Sequence, residues 1–161
     1  MILEMRFQRL RKKRMYRAGE LHMVEIQAIM EEILKGMQRK YRGVLEIERL
    51  TKELADMLSV GDRESVQLLL NMRQGEIEKT RDEDYALHKL LDAVEGQNRE
   101  YLAELMNGKE SSTQNSAMEQ KICQLAVQTK HALDKTIAVD RVLSKNLLEK
   151  THTINKKGAV G

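Results

Sequence analysis

The chain of 161 residues has no proline, no tryptophan, one cysteine, one phenylalanine and four tyrosines. Each shortage excludes something. Without proline, no residue is barred from the interior of a helix. So few aromatics speak against a compact sheet, which wants aromatic and β-branched side chains at period two. The lone Cys123 cannot close an internal disulfide, which fits a reducing compartment. The longest apolar runs are only a few residues, so no transmembrane helix is expected. The N-terminus is basic but lacks the apolar core of a secretory signal. The expectation is one domain of ordinary size in a soluble, cytoplasmic protein.

What is abundant is charge, 33% of residues, together with Leu, Met, Glu and Lys, the composition of long helices. The charge is uneven. Residues 1–21 hold Arg6, Arg9, Arg11, Lys12, Lys13, Arg14 and Arg17 against Glu4 and Glu20, so this leader carries +5 and the rest of the chain −2, for the net +3. Dense Lys and Arg would suit a nucleic-acid or acidic-lipid arm. Self-repulsion favours the other reading, a disordered or frayed extension, and nucleic acid is not the favoured partner. Met23 is an alternative start, because the periodic pattern begins there with acidic residues in its first turns.

The organising stretch is Asp62 to Leu105, expected as one helix over 62–106. Stepping by fours and threes from Val66 gives Leu70, Arg73, Ile77, Thr80, Asp84, Leu87, Leu91, Val94, Asn98, Tyr101 and Leu105, mostly apolar. That spacing keeps them on one stripe, the pattern of coiled-coil-like packing. Gly75, Gly96, the charged middle and the stripe positions Arg73, Thr80, Asp84 and Asn98 leave room for a solvated gap, a kink or a skip in register. A preceding helix is expected over 22–58, with the ladder Ile26, Met30, Ile33, Met37, Lys40, Val44, Ile47, Thr51, Leu54 and Leu58. A second row, including Leu34, Tyr41 and Leu50, widens its apolar face enough for two partner helices. Gly36 and Gly43 inside it weaken the helix locally and mark a bend, a close approach of another helix, or nothing.

Between these helices stands Ser59-Val60-Gly61-Asp62. Gly61 suits a left-handed helix stop and Asp62 a helix cap, and so short a link makes the two helices antiparallel. The polar run KESSTQNS (109–116) reads as a linker. A third helix is expected over 117–150, with a ladder of Met118, Ile122, Leu125, Thr129, Ala132, Thr136, Val139 and Leu143 and a companion row of Ala126, Leu133, Ile137 and Leu147. Residues 151–161 read as a frayed tail. The fold class is therefore all-α: an elongated antiparallel helical hairpin with a third long amphipathic helix, coiled-coil-like or a three-helix bundle.

No chemistry stands out. Glu31/Glu32 and Asp82/Glu83/Asp84 read as solvated charges. His22, His88, His131 and His152 lack helical metal-site partners, and Cys123 lacks an activating base. No Gly-rich phosphate loop is present. The expectation is no catalytic residue, no cofactor and no metal. The ten methionines fit core packing better than a binding surface. What remains is binding by helices: the third helix either completes its own bundle or lends its apolar face to another protein.

The order of features resembles the FlgN-type flagellar export chaperones, and to a lesser degree the related FliT-type chaperones. The resemblance spans roughly 23–150. It rests on KYRGVLEIERLTKELADML, then the glycine-acid turn in GDRESVQLLLNMRQGEIEKTRDEDYAL, then a polar linker and an amphipathic C-terminal helix. It implies a small cytosolic chaperone without enzymatic activity. Such a protein binds the C-terminal helical regions of hook-associated (hook–filament junction) proteins, prevents early assembly and delivers them to the flagellar type III export apparatus. The C-terminal helix would carry the contacts, here Ile122, Leu125, Leu133, Ile137, Leu143 and Leu147 by position on the helix. The alternative is a structural or adaptor coiled coil that self-associates through its stripes, and the oligomeric state is open.

Overall fold

The computed structural model describes the backbone of residues 2–110 and 116–157 and the side chains of 23, 25–110 and 116–149. Among them the protein is all-α: α1 (Ile2–Val60), α2 (Arg63–Asp92), α3 (Gln97–Met106) and α4 (Ala117–Lys157), with no strand. α1 begins at Ile2 rather than near residue 22, so its backbone takes in the basic stretch; the side chains of 1–22 lie outside the described residues. Residues 111–115 of the expected linker and 158–161 of the expected tail also lie outside them. α4 continues to Lys157, past the expected end at 150.

α1 stops where the glycine-acid turn stands. Gly61 takes φ +77°, and the Asp62 N–H reaches back to the Met57 carbonyl at 3.2 Å, the long bond of a glycine-terminated helix. Asp62 then caps α2: one carboxylate oxygen accepts the Ser65 N–H at 3.0 Å and the other the Ser65 hydroxyl at 2.6 Å. These bonds hold the Asp62 carboxyl below its ordinary value, the Ser65 hydroxyl foremost.

The two helices run antiparallel in one register. Gly36 faces Leu87, Gly43 faces Thr80 and Thr51 meets Arg73. Both glycines stand at a close approach of α2. A Cβ on Gly36 would lie 2.7 Å from Leu87 Cδ2, and one on Gly43 would strike the Thr80 hydroxyl. Both pairs are one heptad apart, so each glycine is a notch for a knob on α2.

The expected single helix over 62–106 is two helices. α2 ends at Asp92, with the Ala93 and Val94 N–H groups bonded three residues back, to Leu90 and Leu91. Gly96 then adopts φ +67° and ψ −146°, a conformation closed to residues with a Cβ. The turn tucks Val94 into the core, 4% exposed, and the chain reverses. α3 then runs alongside the start of α4 in the same direction, since Tyr101 meets Glu119 and Gly108 meets Val127.

α4 is parallel to α1, with Ile122 in the cluster of Ile33 and Leu143 in that of Leu50 and Leu54. Both α2 and α4 lie along α1, but their backbones do not approach each other. The core thus divides. At the base, all four helices share Ile33, Met37, Leu87, Val94, Leu102, Leu105, Ile122, Cys123 and Leu125. Toward the hairpin tip, a smaller cluster joins Leu50, Leu54, Leu69 and Leu143.

Candidate partner-binding surface

The six partner-contact positions expected on the third helix do not share a face. Ile122, Leu125 and Leu143 are core, at 0, 9 and 8% exposure. Leu133, Ile137 and Leu147 are exposed, at 37, 46 and 47%. The row that faces α1 is the one with the hydroxyls. Thr129 and Thr136 are buried because each donates to a carbonyl one turn back, Leu125 at 2.7 Å and Ala132 at 2.8 Å. A threonine satisfied this way packs through its methyl group and puts a polar residue in the core at little cost.

The second row of α4 steps by threes and fours through Cys123, Ala126, Lys130, Leu133, Ile137, Arg141, Ser144 and Leu148. α3 covers its beginning. Cys123 is 3% exposed, and the Gly108 end of α3 abuts Val127. The seating is locked at the other end. Ser116 caps α4 through its hydroxyl, which accepts the Glu119 N–H at 3.3 Å, while Glu119 accepts the Ser116 N–H at 3.0 Å. The same Glu119 oxygen accepts the Tyr101 hydroxyl at 2.9 Å. Burial, with Glu119 second, pushes the Tyr101 phenol up to about 12.

Among the described residues nothing continues α3 past Gly108, and the same row opens, to 62% exposure at Leu148. Across the seam α2 contributes Leu70, exposed, and Ile77, half-buried. One polar clasp spans the seam. Arg73 donates to the Thr51 hydroxyl of α1 and to Asp140 of α4, each at 2.9 Å, and so ties the three long helices together. Farther on, α4 parts from the hairpin tip and leaves an open groove of about 670 Å³ lined by Ala55, Leu58, Val66, Leu143 and Leu147.

Several charges on the rest of the described surface are paired. Glu83 pairs with Arg39, Asp84 with Lys40, Glu32 with Lys35 and Glu46 with Arg49. The Cys123 thiol is buried and its pKa is raised by that burial, the opposite of an activated nucleophile. Among the described residues no three His, Cys, Asp or Glu side chains gather as a metal site, and no helix is long and apolar enough to cross a membrane. His88 bonds the Asp84 carbonyl and His131 is exposed; the side chains of His22 and His152 lie outside the described residues.

Three features escaped the sequence reading. The Ser116–Glu119 pair was visible as a capping signature, S-x-x-E ahead of Ile122. Gly96, beside polar Glu95, Gln97 and Asn98, was visible as a break. The partners of Arg73 were not, since Thr51 and Asp140 are remote in sequence. Compared with known protein families, curated proteins and solved structures, the chain has no match.

Proposed function

We propose that the chain is a cytoplasmic, non-enzymatic export chaperone of the FlgN type. It covers the C-terminal helical regions of flagellar hook-associated proteins until they dock at the type III export apparatus. The observation that carries this reading is the α4 row that α3 covers at the base and leaves open beyond Gly108. A partly unfolded export substrate needs a reversible cover for an apolar helix, and an exposed helical stripe on a long framework supplies one. The hairpin with α4 laid along it serves as a coiled-coil-like three-helix scaffold for that stripe.

Co-expression with hook-associated proteins, followed by co-purification, tests the proposal. A complex is expected, and Leu133→Asp with Ile137→Asp is expected to abolish it while helicity is retained, since both side chains already face water. Absence of any complex overturns the chaperone reading. A stable oligomer of the chain alone by light scattering would favour a self-associating adaptor instead.

A further inference from the structure

The open part of the α4 row has a chemical character beyond being apolar. Two of its positions are basic, Lys130 and Arg141, and they alternate with Leu133, Ile137 and Leu148. On α2, Arg63 and Arg81 leave the helix on the side that carries Leu70 and Ile77. All four bases are exposed, and none has a carboxylate partner among the described residues. On α1, Lys35, Arg39, Lys40, Arg49 and Lys52 are each paired with a carboxylate, while Arg42 bonds only the Gln38 carbonyl. Lys130 and Arg141 thus stand without an ion pair beside the apolar positions of the row, with the exposed carboxylate of Asp134 one turn from Lys130.

The chain also shows what fits the row. At the base, α3 seats Leu102 and Leu105, at 1 and 0% exposure, while Glu100 and Glu104 stay in solvent. The occupant of the first part is thus a helix with aliphatic residues at i and i+3 and acidic residues on its outer side. The open part continues that interface along the same row of α4.

We infer that the open row binds an acidic amphipathic helix of a partner protein, laid end to end with α3. Its aliphatic residues, at spacings of three and four, rest on Leu133, Ile137 and Leu148. Its carboxylates face Lys130, Arg141 and Arg81. A second copy of the chain offering the same row would bring Lys130 and Arg141 against a surface that is itself basic, so a foreign acidic helix is the better complement. This inference rests on the partner-binding reading above and adds the sign of the partner's charge and the face it uses.

The test uses the full chain and two lactam-stapled helical peptides with the same leucine ladder, one carrying glutamate at the remaining positions and the other lysine. Fluorescence anisotropy at low salt is expected to show the glutamate peptide binding at least about tenfold tighter, with the gap closing as salt rises. Ile137→Asp should abolish binding. Lys130→Glu with Arg141→Glu should reverse the preference. Leu68→Asp, on the outer side of α2, should change nothing, and circular dichroism should report unchanged helicity in every variant. Equal binding of the two peptides, or binding that survives Ile137→Asp, overturns the inference. So does a dimer of the chain alone that Ile137→Asp splits. Peptide binding as expected, without co-purification of any hook-associated protein, would sustain this inference and overturn the flagellar reading alone.

Discussion

The base and the tip of this protein are built from the same helices and pack differently. At the base, α3 folds back over α4, and the four helices bury a continuous cluster from Ile33 to Leu125. Toward the tip, α3 is gone, and α2 and α4 meet only through a small leucine cluster and the Arg73 clasp. The difference is one short helix. Ten residues, released from α2 by Gly96, turn a layer of helices with an open seam into a closed core. The base is closed, and the row beyond α3 is exposed.

The comparison breaks if the base does not dominate stability. Leu105→Ala should cost about 3–4 kcal/mol in urea unfolding, and Leu143→Ala at the tip about 2, because the smaller cluster can relax around the gap. Equal losses would remove the distinction. Arg73→Ala should cost about 1–2 kcal/mol, the worth of hydrogen bonds from a charged group that is largely covered. Hydrogen exchange should then rise along residues 136–149 and stay unchanged along 117–129. Gly96→Ala should cost about 1–3 kcal/mol, since it forces a side chain into a backbone conformation that only glycine adopts readily. Its effect should fall on the base, seen as loss of Cys123 protection from thiol reagents.

Alkali should loosen the base first. The fold favours the protonated Tyr101 phenol, so its pKa rises from the ordinary 10 to about 12. The unfolded chain therefore loses this proton first, and stability falls as pH rises from about 10 toward about 12. Tyr101→Phe should flatten that slope, followed by denaturation at stepped pH. The smallest effect is expected at the open row. Leu133→Ser and Ile137→Ser should each change stability by less than about 0.5 kcal/mol, the usual range for exposed positions.

Much of the fold was legible because its signals are local. Gly61 and Asp62 end one helix and begin the next with atoms a few residues apart, so the hairpin was readable. The ladders of α1 and of α2 up to Val94 predicted core positions such as Ile33, Val44, Leu87 and Val94. The ladder misled where it ran on through Gly96, because Tyr101 and Leu105 kept the period across the break. On α4, periodicity marked two neighbouring rows and could not rank them. The row with threonines, read as the ladder, is the one that packs, since a back-bonded hydroxyl leaves only a methyl group to pack.

The amino-acid sequence alone determined that this chain forms long helices, where the first hairpin turns, and which spacings carry apolar side chains. Those follow from backbone preferences and from contacts within a turn or two. Only the tertiary structure decided that α3 reverses, that Thr51, Arg73 and Asp140 meet, and that Leu133 and Ile137 stay outside while Ile122 and Leu143 go in. Each of these depends on which helix lies alongside which, and that choice is made by groups distant in sequence competing for the same faces.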